Sequence, residues 1–190
     1  GVDSFKRQMW FLKTFGFETI SLDEFYAIKT GEAEARGREV VITFDDGDET
    51  YLRYALPILE RYQIKSANFI IWNYAERAEE KKMTLEELKR LSHHPLVTLG
   101  SHTLSHADLK EISIEQAKTE ITDSKRKLEK ALNKKIRYFC YPMGSFNEQV
   151  MGFVREAGYR LAFRTAEKYS RNYPNTLHSI ARIKVHPRHK

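Results

Sequence analysis

Cysteine is nearly absent: Cys140 is the only one in 190 residues, so no disulfide can close within the chain and stability must come from a buried core. With 5 Pro and 9 Gly there is neither a collagen-like repeat nor a low-complexity tract. No run approaches the roughly 18 apolar residues that cross a bilayer, and the opening GVDSFKRQMWFLKTFGF puts charges where a signal peptide needs an apolar stretch. A soluble chain without a transmembrane segment is expected. Because it starts at Gly1 rather than Met, it is read as a processed or trimmed piece of a longer protein. No linker, repeat or charge block divides it, so residues 1–190 are expected to form a single domain, and a monomer. What is present is an ordinary globular composition, 41% hydrophobic and 31% charged, with 32 Lys+Arg against 26 Asp+Glu for a formal charge of +6. That surplus suits anionic surroundings, and no basic reading motif points to nucleic acid.

Apolar, β-rich runs alternate with segments of helical period. Strands are expected at 40–44 (VVITF), 66–71, 97–101, 138–141, 160–164 and 179–185, and helices at 49–62, from Thr84 onward, at 113–133 and at 148–157. TLEE at 84–87 is a capping box, and Ile114, Ala117, Ile121, Leu128 and Leu132 recur near a 3.6 period. Such alternation implies parallel βαβ units, either an open doubly wound sheet or a barrel. Both gather chemistry at the C-terminal ends of the strands.

Three polar clusters fall there. Asp45-Asp46-Gly47 follows VVITF, which reads either as two carboxylates at a strand mouth or as an Asp-Gly turn with Asp48 or Glu49 capping the next helix. Ser101-His102-Thr103-Leu104-Ser105-His106 follows VTLG, and its imidazoles, four apart, would face one point if a helical turn formed. Two His and one carboxylate make a facial ligand set for a divalent metal. Tyr141-Pro142-Met143-Gly144 is a strand running into a turn whose N–H groups are able to face a developing oxyanion and whose aromatic surface suits a sugar ring.

Together these motifs resemble the polysaccharide deacetylases, the carbohydrate esterases with a NodB-homology domain. TFDDG at 43–47 is similar to the family's first motif, SHTLSH at 101–106 to its second and YPMG at 141–144 to its third, and FKRQMWFLKTFGFETISLDEF resembles its entry segment. The resemblance covers most of the chain. It implies a distorted (β/α) barrel of about seven strands and an enzyme that removes acetyl groups from an acetylated polysaccharide. It assigns Asp46, His102 and His106 to the metal, zinc first, with cobalt, nickel or iron as alternatives, and makes Asp45 the general base. The Met143 N–H would face the oxyanion, with Tyr141, Pro142 and Gly144 beside the substrate. The YPMG form resembles deacetylases of poly-N-acetylglucosamine or peptidoglycan, which implies a place outside the cytoplasmic membrane or in the cell envelope.

The pattern departs in two places. Where many relatives carry an Arg that braces the base, this chain has Cys140; Arg137 lies on the opposite strand face, and Arg182 on the last β-like run is the expected substitute. For the His that protonates the leaving amine, position at a strand's C-terminal end favours His186 over His178. Trp72 is expected in the core and Tyr141 in the groove, while His93 and His94 read as structural or solvated. Two rival readings stand beside this one. Asp46-x-Asp48-x-Thr50 also resembles the opening motif of haloacid-dehalogenase-like phosphatases, although no Asp follows Asp123 to complete their Mg²⁺ site. The other rival is a non-catalytic carbohydrate-binding domain of the same fold, which would have no use for the two acids and two imidazoles.

Overall fold

The computed structural model describes residues 1–165 and 176–185. Two short parallel strands, β1 (Glu18–Thr19) and β2 (Glu39–Val40), form a separate small sheet. Six more, β3 (Thr43–Phe44), β4 (Ser66–Ile70), β5 (Val97–Ser101), β6 (Tyr138–Cys140), β7 (Leu161–Thr165) and β8 (Ile180–Arg182), lie side by side in chain order, all parallel. That order has no reversal of the kind a doubly wound sheet needs; the sheet curls in one sense into a half-barrel, the distorted barrel that the motifs imply. The run 40–44, expected as one strand, is divided. Val40 pairs with Thr19, while Thr43 and Phe44 pair with Ala67 and Asn68.

The helices are α1 (Val2–Thr14), α2 (Leu22–Thr30), α3 (Leu56–Tyr62), α4 (Trp72–Glu76), α5 (Leu85–Leu91), α6 (Ile114–Leu132) and α7 (Glu148–Glu156). Three begin at reciprocal capping boxes, Ser21 with Glu24, Thr84 with Glu87 and Ser113 with Gln116, each satisfying two otherwise orphaned backbone donors. The expected helix at 49–62 opens as a π-helical turn over Tyr51–Ala55 before α3. There Pro57 has no N–H to offer four residues back. None of the helices among the described residues is long and apolar enough to cross a membrane.

The pleat sends alternate strand residues to two cores. Ile70, Leu99, Phe139 and Ala162 pack under the outer helices with Ala117, Ile121 and Leu128 of α6 and Val150 and Val154 of α7. Ala67, Phe69, Tyr138, Cys140, Leu161, Phe163 and Ile180 fill the other face, closed by Leu22, Phe25 and Tyr26 of α2. Gly100 is what lets this second core close: a Cβ there would stand 2.6 Å from the Phe69 ring and 2.9 Å from the Tyr138 carbonyl. Gly100→Ala should therefore destabilise by about 1–3 kcal/mol, read as a lower urea midpoint at unchanged slope.

Candidate metal centre

The C-terminal ends of β3, β5, β6 and β8 share one rim, and the sequence clusters sit on it. After β3 the chain takes two consecutive left-handed residues, Asp46 (φ 69°) and Gly47 (φ 65°), and the Gly47 carbonyl accepts from Met83 N at 2.8 Å. After β5 the loop is irregular rather than helical. Thr103 (φ 68°) and His106 (φ 64°) are both left-handed, and His106 N donates to Thr103 Oγ1 at 3.0 Å. The two imidazoles thus converge by a strained turn and not by the helical turn expected from their spacing. Left-handed backbone is tolerable for Asp and His but costly for β-branched Thr, and such strain persists where surrounding structure enforces it.

Oδ1 of Asp46 lies 3.5 Å from Nε2 of both His102 and His106. Nitrogen and oxygen ligands about 2.0–2.1 Å from a tetrahedral ion stand about 3.4 Å apart, so the spacing suits one divalent cation. That same Oδ1 is buried and accepts no hydrogen bond among the described residues. A buried carboxylate oxygen aimed at two imidazole nitrogens calls for a cation. His102 is nearly inaccessible. Its backbone N donates to Ile70 O at 2.8 Å and its Nδ1–H to the Cys140 carbonyl at 2.7 Å, which leaves the Nε2 lone pair toward Asp46. Burial pulls its pKa below the ordinary histidine value against the opposing charge of Asp45, keeping the ring neutral, as a metal ligand must be.

A second donor set, Asp45, His102 and Cys140, also has its ligand atoms within 4.8 Å of one another. Its members are already engaged. Burial pushes the Cys140 thiol well up. Asp45 is taken by Arg182: Nη1 donates to Oδ1 at 2.8 Å and Nη2 to Oδ2 at 2.6 Å, a bidentate fork. Burial pushes the Asp45 carboxyl up, but the bonds and charge of Arg182, with His102 and Cys140 assisting, outweigh it and hold the group below the ordinary carboxylate range. Arg182 also donates to Thr43 Oγ1 at 2.9 Å and approaches Cys140 Sγ at 3.0 Å.

The remaining sequence candidates divide. Tyr141, expected to offer its ring to a sugar, is buried instead. The strand period turns it to the helix side, where it stacks on Phe146 at 4.4 Å and its hydroxyl donates to the His178 carbonyl at 2.9 Å. Pro142 is buried too. Met143 is 52% exposed with φ 55°, and Gly144 (φ 68°) packs against β7, where a Cβ would meet Thr165 N at 2.9 Å. His178 stands at the entry of β8, away from the rim, with Nε2–H donated to Tyr159 O at 2.9 Å. His186 lies outside the described residues. Trp72 is in the core, and His94 faces Glu60 at 3.0 Å while His93 faces the Lys89 carbonyl at 2.9 Å. Asp48 closes a local turn, Oδ1 accepting from Thr50 N and Oγ1 at 3.0 and 2.6 Å, and its other oxygen faces Lys82 at 3.8 Å. One contributor was not anticipated: Glu120 of α6 accepts from the backbone of the His102–His106 loop.

With this geometry in hand, likeness to known proteins is specific. The family model described as polysaccharide deacetylase matches residues 32–162. The poly-β-1,6-N-acetyl-D-glucosamine N-deacetylase of Staphylococcus aureus is 30% identical over 176 residues, covering 86% of this chain and 60% of that protein. The chain thus spans less than two thirds of the length of the curated relatives it matches first. Among solved structures, the Streptococcus pyogenes deacetylase PplD in complex with acetate superposes with a TM-score of 0.90 at 28% identity, over 98% of this chain and 82% of that one. IcaB from Ammonifex degensii superposes with a TM-score of 0.85 at 25% identity, over 98% and 84%. A family match over most of the sequence, joined to the motifs gathered on one rim, establishes that this chain belongs to the polysaccharide deacetylase family.

Proposed function

We propose that the chain is the catalytic domain of a metal-dependent hydrolase that removes acetyl groups from an N-acetylated polysaccharide, with poly-β-1,6-N-acetylglucosamine as the first substrate to test. One observation carries the reading: two adjacent carboxylates have been given separate partners, Asp46 facing two imidazoles and Asp45 held by an arginine. The name of the staphylococcal relative and the acetate bound to the streptococcal deacetylase support the substrate class. A polymer of this kind places the work outside the cytoplasmic membrane, and the charge of +6 suits an anionic envelope.

Asp46, His102 and His106 would hold the cation, zinc being the first choice for one carboxylate and two imidazoles. Such an ion, when bound, lowers the pKa of a water to about 7 and polarises an acyl oxygen. Asp45 takes the proton of the attacking water. Its Oδ1 retains a lone pair beyond the one engaged by Arg182, and the guanidinium fixes the carboxylate in its charged form. The Met143 N–H, presented by a left-handed turn, serves the developing oxyanion, a role typically worth about 3 kcal/mol. His186 is assigned the proton donated to the departing amine.

Asp45→Asn should lower acetate release from an N-acetylglucosamine oligomer by about 10²–10⁴-fold while zinc binding by calorimetry stays as in wild type. His106→Ala or Asp46→Asn should instead abolish stoichiometric zinc, measured by metal analysis after dialysis, and activity with it. Arg182→Ala should retain zinc and lose about 10–100-fold in kcat; a rate near wild type removes the bracing role. Wild type that binds zinc and glycan without releasing acetate supports the carbohydrate-binding alternative.

A further inference from the structure

We propose that Glu120 is a positioning residue of the metal centre: its carboxylate, reaching from α6, fixes the 103–105 backbone and so sets His106 against His102 and Asp46. The inference rests on the metal reading above. The two imidazoles are supported very differently. His102 directly continues β5 and is tied to the sheet at both its N–H and its ring, through Ile70 O at 2.8 Å and Cys140 O at 2.7 Å. His106 is four residues out on a loop, and among the described residues its backbone N–H is bonded only within that loop, to Thr103 Oγ1 at 3.0 Å. Its position is therefore no firmer than that of residues 103–105.

On the side toward the barrel that segment is held by its carbonyls, Thr103 O accepting from Trp72 N at 3.1 Å and Leu104 O from Asn73 N at 2.9 Å. On the other side two successive N–H groups, those of Leu104 and Ser105, point at one oxygen of Glu120, Oε2, at 2.8 and 2.9 Å. The Ser105 hydroxyl donates to the other oxygen, Oε1, at 2.6 Å. Consecutive N–H groups converging on one anion form a nest, and bonds to a charged acceptor are about twice as strong as neutral ones. The support behind the carboxylate is itself rigid. Ala117 and Ile121 of α6 are in the core, and Ser101 at the end of β5 donates to Ser124 at 2.8 Å, which in turn donates to Ile121 O at 3.0 Å. Glu120 thus supplies the enforcement that a left-handed Thr103 and His106 require.

The test is a Co²⁺ titration of the purified protein, followed by its d–d absorption, with Zn²⁺ calorimetry alongside. Glu120→Ala should weaken both metals by about 10–100-fold and alter the d–d bands at saturating Co²⁺, because one imidazole has moved. Glu120→Gln, whose amide oxygen still accepts both N–H groups, should stay within about threefold of wild type. Asp123→Ala, which removes a carboxylate from the same helix that faces Arg126 at 3.2 Å, should match wild type. If Glu120→Ala fails to fold, Glu120→Asp decides: one methylene too short to reach the loop, it should fold and show the weakened binding. Wild-type affinity and spectrum in the Ala variant, or in the Asp variant where Ala does not fold, overturn the role of Glu120 alone. A wild type that binds neither metal overturns the functional reading and this inference together.

Discussion

The curled sheet has two edges, and Arg182 is where they meet. It ends β8, the last strand in the order, and its guanidinium reaches Thr43 and Asp45 at the end of β3, the first. No backbone ladder joins these strands among the described residues, so a side chain does at the rim what strand pairing does elsewhere. The charge that this staple requires is the carboxylate proposed as the base. Because the residues it joins are 137 apart in the chain, the acid is braced only once β8 has joined the sheet.

The same arrangement gives two neighbouring aspartates different partners. A pair of carboxylates left together would resist joint ionisation. Here the turn at Asp46 and Gly47 sends one toward the imidazoles and leaves the other to the guanidinium, and each negative charge has its own counterpart. Cys140 sits between the two halves. Its carbonyl orients His102 and its thiol lies against Arg182 and Asp45, so a small neutral residue fills the space where relatives are expected to place a cation.

Much of this was legible in the sequence because the informative residues are contiguous. The parallel sheet follows from alternation of apolar runs with capped helices, and β5 coincides with residues 97–101 as read. Residues 45–46 and 102–106 stand directly at strand ends, where position itself carries meaning. What was not legible depends on contacts between distant segments. One glutamate in a helix as charged as α6 looks like solvated surface until the loop it holds is seen. Tyr141 was misplaced because its motif suggested a groove, whereas the strand's two-residue period sends it to the helix side. Arg137 obeys the same period and ends beside Asp23 at 3.5 Å, far from the acids on the rim. The left-handed conformations of Thr103 and Met143 leave no trace in composition, since neither residue is a glycine.

Thr103 shows what the site asks of natural selection. Glycine would relax its backbone and make the folded state more robust, yet it would delete the hydroxyl that receives the His106 amide. Drift toward sturdiness at this position therefore runs against retention of the ligand geometry. The hydroxyl that holds the His106 amide is thus obtained at the cost of a left-handed β-branched residue.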